Sequence, residues 1–456
     1  MQQRIPIWLF LLCLLLWLLF TVAFGWSIKS TIAGSDKSGW FGEAAVHVAS
    51  FPTTTKEVVH ELLSFVSGAY EDEPVRTPRP AGVDYSGFTP VPDAPSLKLN
   101  GLVMEADPTK MASGWRALIG AFDINGSIEN AVLLLSPDLK LVKSWILDEV
   151  SVGEVTPRPK HRKFVHGVEI FPDGSIVFTF DGSVSIQKFT ACGERDWTTP
   201  GHFHHAVTAD IDGKSVWTFF DPETITQVSV SDGSILDQIS LAEIISANPT
   251  IDVLEVRRKH SDDLGGNSRN TTGTWLQDAI HFNDVDPLPA SIANQFDSFE
   301  AGDLLISARS LNLVFVLDRK SHKIKWWRVG ATQRQHDPDW LPDGRISIFN
   351  NRMSRDFSEI VAIDPDTFET SVLVDGNDYG FYSRIRGKAQ IIENGSIFVT
   401  SAQQGEAFEV DSNGEVVFKV ANMKPGTNDT NYVVSEMKWL PQDFFDERIF
   451  ECRTQE

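Results

Sequence analysis

The chain repeats one phrase: a histidine, an Asp-Gly turn seven and eight residues later, then a short run of β-forming residues. It reads HGVEIFPDGSIVFTF from His166, HAVTADIDGKSVWTFF from His205 and HDPDWLPDGRISIFNN from His336. A looser copy without the histidine, RGKAQIIENGSIFVTS, starts at Arg386 and turns at Asn394-Gly395. Recurrence at one register puts each histidine at the same point of a repeated supersecondary unit, so the imidazoles should converge on a common axis.

Between the phrases lie six segments that each read as a β-hairpin: LLLSPDLKLVKSWIL, SIQKFTACGERDWTT, TQVSVSDGSILDQIS, VFVLDRKSHKIKWWRV, VAIDPDTFETSVLV and AFEVDSNGEVVFKV. Alternating apolar residues and Asp, Asn and Gly turns carry that reading. A phrase plus a hairpin makes four antiparallel strands, repeated about every 40 to 50 residues, which is the pattern of a propeller blade. The expected fold is therefore all-β, a six-bladed β-propeller, with a large β-sandwich or irregular β-solenoid as the competing architectures. Each phrase would start the innermost strand of its blade, placing His166, His205, His281 and His336 around the mouth of one funnel. Trp145, Trp197, Trp326 and Trp327 are expected to pack between strands.

The N-terminus is of another kind. Residues 5–26, IPIWLFLLCLLLWLLFTVAFGW, are apolar over about the ~20 residues a helix needs to cross a bilayer. Residues 1–26 are expected to be a signal anchor or transmembrane helix, with Arg4 as its positive flank and Ala23-Phe24-Gly25 as an alternative cleavage site. Residues 27–97 would form a stalk with one amphipathic helix over residues 54–70, followed by a linker or wrapping segment carrying Pro74, Pro78, Pro80, Pro90, Pro92 and Pro95. Residues 98–456 would be the propeller, tethered to the membrane and placed in the periplasm or another extracytoplasmic space. Of three cysteines, Cys192 and Cys452 lie outside the apolar segment and either pair or remain separate thiols. Asn-x-Ser/Thr triplets stand at Asn125, Asn270, Asn394 and Asn428, of which Asn125 and Asn394 are Asn-Gly turns whose first task is the hairpin.

A net charge of −22, with no basic stripe, argues against nucleic acid as a partner. It does not exclude a small anion at a locally positive site. Such a site is expected between His281 and Arg352. There the sequence holds HFND (His281, Asn283, Asp284), then LLISARSLN (Arg309, Asn312), then QRQHDPDWLPDG (Arg334, His336). Two histidines, an amide and a guanidinium at matching ends of neighbouring inner strands suit an oxyanion such as sulfate or phosphate. A histidine whose tautomer is held by a neighbour can also act as a nucleophile. The polar stretches 250–275 and 284–301, which flank His281, are expected as lids or binding walls.

The order HFND, GDLLISAR, a strand pair ending in tryptophan, then QHDPDWLPDGRISIFNN resembles the bacterial arylsulfotransferase family, over roughly residues 98–445 and most specifically over 275–351. The resemblance implies a six-bladed propeller that moves a sulfuryl group from an aryl sulfate donor to a phenolic acceptor. It implies no nucleotide donor and no cofactor. Carried over by motif, the nucleophile is His336, forming a sulfohistidine. His281 and Asn283 support it, Arg309 binds the sulfuryl oxygens, and His205, with His204 as its competitor, completes the set. His166 shares the register but gains no role from the resemblance, which favours a structural part for it. Family members with an N-terminal β-domain and a cleaved signal differ from this chain, whose stalk leaves open a homodimer contact. Two other readings stand beside this one. In a metal-dependent propeller, His205, His281 and His336 hold Zn²⁺ or Ca²⁺ with Asp284 or Asp337. In a non-catalytic propeller, the domain is a binding or scaffold module in an envelope complex.

Overall fold

The computed structural model describes residues 6–32, 41, 44–46, 48, 76–80, 82–94, 97–152, 163–255, 279–446 and 449. The chain divides into one unit of Met1–Asp72 with Arg257–Gln277, and a second of Glu73–Val256 with Asp278–Glu456. In the first unit, Ile7–Ile32 is an α-helix of 26 residues with no acidic side chain and Lys29 as its one charge. At ~1.5 Å per residue it spans about 39 Å, enough to cross the ~30 Å hydrocarbon layer of a bilayer. It is long and apolar enough for a membrane span, a property that signal sequences share. The expected helix at 54–70 lies outside the described residues.

The second unit contains a six-bladed β-propeller. Blade 1 consists of Val434–Leu440, Trp115–Ile124, Ser127–Leu135 and Leu141–Leu147, from the channel outward. Blade 2 runs Val165–Ile170, Ile176–Phe180, Ser185–Phe189, Arg195–Pro200, and blade 3 runs Phe203–Ala209, Ser215–Phe220, Thr224–Ser229, Ile235–Ser240. Blade 4 is Phe282–Pro287, Leu304–Ala308, Leu313–Leu317, Ile324–Val329, and blade 5 is His336–Trp340, Ile346–Asn350, Glu359–Ile363, Thr370–Asp375. Blade 6, Lys388–Ile391, Ile397–Ser401, Glu406–Val410 and Val416–Asn422, is extended by Leu102–Ala106 and Thr89–Pro90 from the N-terminal side. Every pairing is antiparallel, as the short polar turns require. At Asn125-Gly126 both turn residues have positive φ, 55° and 86°, the two-residue hairpin that an Asn-Gly pair favours.

Blade strands such as LLISA and LVFVL are buried along their whole length, because each sheet has another sheet against both faces. Six apolar clusters fill the six seams. Leu118 meets Phe398 between blades 1 and 6, and Trp145 meets Phe178 between 1 and 2. Val177 and Val216 share the cluster between 2 and 3, Phe219 stacks on Phe282 between 3 and 4, Leu305 and Ile348 share the cluster between 4 and 5, and Phe349 and Phe408 both pack on Phe381 between 5 and 6. Trp145 and Trp326 are buried in these seams, Trp197 is half-buried, and Trp327 is exposed. The ring closes where the C-terminal strand Val434–Leu440 supplies the inner strand of the blade begun by Trp115–Ile124. A fully buried ion pair, Arg116 to Glu409 at 2.5 Å, bridges blades 1 and 6 at that closure.

Apart from Asp284, which lines the histidine cavity, the stretch 284–301 is not a wall of the histidine face. Its first residues belong to the inner strand of blade 4, which leads away from His281. The rest crosses to the second strand at the opposite end of the blade, where Phe296 and Phe299 pack edge-on against Trp340 with ring centroids 4.9 and 5.4 Å away. Apolar residues within an otherwise polar loop are what hold it there. Most of 250–275 lies outside the described residues, as do Asn270 and Cys452. Cys192 is disulfide-bonded, and Cys13 is free and exposed on the N-terminal helix.

Candidate active site

The inner strands carry one shared irregularity. In blades 1 to 5 the pairing of the inner strand with its neighbour slips near its leading end, at Val434/Glu436, Val165/Gly167, His204/Val207, Phe282/Asp284 and His336/Asp339. A bulge inserts an extra residue on one strand and re-aims its side chain. The residues caught in these slips include Ser435, His166, His205, Asn283 and Asp337, and all five line one narrow cavity at the head of the central channel, together with His336 and Arg386. Gly167 makes the approach of blades 2 and 3 possible. A Cβ on it would stand 2.1 Å from the carbonyl oxygen of His205, so no other residue fits there without moving the strands.

His336 is buried, and its Nδ1 lies 2.7 Å from Oδ1 of Asn351. The Nδ2 of Asn351 donates to the carbonyls of Ser383 and Arg386 at 2.7 and 2.5 Å, which fixes the amide with its oxygen toward the ring. Nδ1 therefore carries the proton and Nε2 keeps a lone pair, which accepts a 3.2 Å contact from the backbone N–H of Arg386. Burial pushes the imidazole down to about 3, reinforced by the positive field of Arg309 and opposed by the Asn351 bond. The ring is neutral at physiological pH, and its Nε2 lone pair can attack once the Arg386 contact is released.

His281 stands beside Arg309, with Nε2 3.1 Å from Nη1. Asn283 donates from Nδ2 to the carbonyl of Gln335 at 2.9 Å, and its buried Oδ1 has no partner. His205 stacks at an angle on His281 and on His166, with ring centroids 5.0 and 4.3 Å away. Its competitor His204 stands behind it, with their Nδ1 atoms 2.5 Å apart and its Nε2 2.7 Å from the carbonyl of Asp221. Burial and the surrounding cationic groups hold His166 and His205 well below the ordinary histidine range. Left-handed backbone at His205 and His281, φ 62° and 56°, marks strain at the same corner of blades 3 and 4.

The structure thus brings together His336, His281, Arg309, Asn283 and His205, and it adds His166, whose Nδ1 is buried without a partner. Arg334 instead donates to the hydroxyl of Ser310, and Asn312 accepts from the backbone of Arg334, so both shape the loop beside the cavity. Asp284 is tied to Lys388 at 3.2 Å, and Lys388 also reaches Asp337 at 2.5 Å. Sequence reading passed over Asn351, Arg386 and Lys388. The signals for them were weak: the Asn-Asn that closes the third phrase, and the cationic start of the copy that lacks a histidine.

Beneath this head the channel opens into a cavity of about 260 Å³ lined by Glu169, Asp284, Asp286, Asp337, Asp339 and Glu436, with Lys388 and Lys438. Burial raises Asp284 to about 7 and lifts Asp286 and Asp339 well above the ordinary carboxylate range, against the pull of Lys388. The channel is cationic and histidine-rich at its head, and carboxylate-rich below. Among the described residues no three His, Cys, Asp or Glu side chains are grouped to hold a metal ion, and the guanidinium of Arg309 occupies the position beside His281 that a cation would take.

A family model described as Arylsulfotransferase (ASST) matches residues 167–423, more than half of the chain. No curated protein matches it. Among solved structures it is similar to a protein of unknown function from Bacteroides caccae, at 14% identity and a TM-score of 0.46, covering 72% of this chain and 98% of that one. A catalytically inactive virginiamycin B lyase from Staphylococcus aureus, bound to quinupristin, is 9% identical with a TM-score of 0.40, covering 74% and 98%. The β-propeller domain of Cps50 (Swd1) from Myceliophteria thermophila is 7% identical with a TM-score of 0.40, covering 70% and 90%. At these levels the three likenesses bear on no chemistry.

Proposed function

Since the chain belongs to the arylsulfotransferase family, we propose that it moves a sulfuryl group from an aryl sulfate to a phenol through a covalent adduct on His336. The observation that carries this reading is the tautomer of His336. Its proton is held on Nδ1 by Asn351, which leaves the Nε2 lone pair as the nucleophile in a cavity lined also by Asn283, His205 and Arg386, with the field of Arg309 acting on the ring.

In the first half-reaction Nε2 forms a bond to sulfur while the S–O(aryl) bond breaks, and the aryloxide leaves with the electron pair. The adduct places positive charge on the ring, and Asn351 Oδ1 stabilises it through the Nδ1–H bond. In the second half the phenolic oxygen attacks sulfur, the N–S bond breaks with its electron pair returning to Nε2, and the phenolic proton passes to solvent, replacing the one that the aryloxide took from solvent in the first half. Charge spreads over the equatorial oxygens in both steps, as in phosphoryl transfer, so the fixed donors of Arg309 and the imidazoles act most strongly at the transition state. Asn283 has one buried oxygen to satisfy, and the incoming phenolic O–H is the donor that suits it. The N-terminal helix would tether the domain to a membrane, with the propeller on the extracytoplasmic side.

The test is release of 4-nitrophenol from 4-nitrophenyl sulfate by the full-length protein in detergent, with phenol as acceptor. Acceptor-dependent release that disappears in His336→Ala supports the reading. A folded wild-type protein that releases none overturns it in favour of a binding module, and an H336A protein that releases as much overturns His336 as the nucleophile.

A further inference from the structure

We propose that Arg386 is a second guanidinium of the sulfuryl site, which grips the transferring oxyanion together with Arg309. The proposal rests on the sulfotransferase reading above for the identity of the anion.

Arg386 leads into the inner strand of blade 6, the one phrase without a histidine, and the residue lines the same cavity as His336, His166, His205 and Asn283. Its aliphatic and planar parts are held in place. The guanidinium carbon lies 3.3 Å from the centroid of the Phe164 ring, and the backbone is anchored from both sides, N–H to His336 Nε2 and C=O from Asn351 Nδ2. A φ of 62° shows that the backbone is bent into the left-handed region to achieve this. Burial pushes the group down to about 10, still charged at neutral pH, with the field of Asp181 opposing that shift.

Among the described residues no carboxylate lies within ion-pair distance of the Arg386 guanidinium, and none of its N–H groups has a hydrogen-bond partner. The other buried cations of the channel are paired: Lys388 with Asp284 and Asp337, and Lys438 with Glu169. A guanidinium stacked on an aromatic face beside a cavity of neutral imidazoles suits a tetrahedral oxyanion. The anion would supply the direct ion-pair partner that no side chain supplies. Because the N–H of the same residue rests on the His336 lone pair through a long contact, the anion's arrival and the release of Nε2 for attack are coupled through one residue.

The experiment uses the full-length protein with Arg386→Gln and Arg386→Lys, inorganic sulfate as the binding probe by calorimetry, and 4-nitrophenyl sulfate with phenol for turnover. Thermal midpoints confirm that each variant is folded. R386Q should bind sulfate at least about tenfold more weakly. It should lose about a hundredfold in kcat/KM. R386K should recover only part of either, because an ammonium restores charge without the fork. Wild-type affinity and turnover in R386Q, or full recovery in R386K, overturns the clamp while leaving the transfer reading intact. A wild-type protein that transfers nothing yet binds sulfate in an Arg386-dependent way sinks the donor assignment and keeps the clamp.

Discussion

Asn351 holds His336 in one tautomer: its Oδ1 accepts from the ring Nδ1 at 2.7 Å while its Nδ2 is committed to two backbone carbonyls. The amide cannot rotate without breaking both of those bonds, so the ring cannot exchange its nitrogens. Asn351→Ala should therefore lower kcat for sulfuryl transfer by roughly 10² to 10⁴-fold, in the range set by losing the orienting group of a catalytic histidine. KM should change little. Steady-state release of 4-nitrophenol decides it, and an unchanged kcat would show that the ring needs no holder.

The buried imidazoles also predict how stability responds to acid. His336 sits at about 3 in the folded chain against an ordinary value near 6.5, so the unfolded chain binds more protons between those limits. Its contribution is complete above pH 6.5 and is lost as the pH falls toward 3. Asp284, raised to about 7, works in the opposite direction over its own window, which makes the difference between variants the useful quantity. His336→Asn should lose less stability than the wild type between pH 7.5 and 4.5, measured by denaturant unfolding at each pH. Equal losses in the two proteins would contradict the assignment.

Lys388 neutralises two buried carboxylates just under the histidines. Removing it strands both Asp284 and Asp337. Lys388→Met should cost roughly 3 kcal/mol of stability, the usual penalty for leaving a buried ion uncompensated. The further change Asp337→Asn should return part of that loss. Chemical denaturation of the single and double variants measures both, and additive losses would mean that the lysine and the aspartate act independently.

The packing of Phe296 and Phe299 on Trp340 separates structure from site. Phe296→Ala should destabilise the protein by about 3 kcal/mol through the cavity it leaves. Turnover at temperatures well below the transition should match the wild type. A variant of unchanged stability and reduced turnover would restore the segment as a substrate wall.

Much of the architecture was legible in the sequence because blades repeat. The histidine phrase fixed the register of three inner strands, and the Asp-Gly and Asn-Gly turns located hairpins, with Asn125-Gly126 taking the backbone that such pairs favour. The loop 284–301 was misjudged from its polarity; two phenylalanines among polar neighbours bind it to Trp340, and a linear pattern does not show which surface an isolated aromatic residue meets. His166 was set aside because no motif gave it a part, although its register already matched that of His205. Asn351 and Arg386 were harder to find. Their importance depends on a contact with His336 across 15 and 50 residues of sequence, and nothing local in either residue announces it.

The closure of the ring by Val434–Leu440 has a consequence for the order in which this protein becomes competent. The strand that contributes Ser435 to the cavity is among the last parts of the propeller to leave the ribosome, and its partner Trp115–Ile124 is among the first. Until both meet, blade 1 lacks its inner edge and the chamber has an open side. A nascent or truncated chain carries every histidine of the site and none of the enclosure. Synthesis must finish before reactive chemistry can begin.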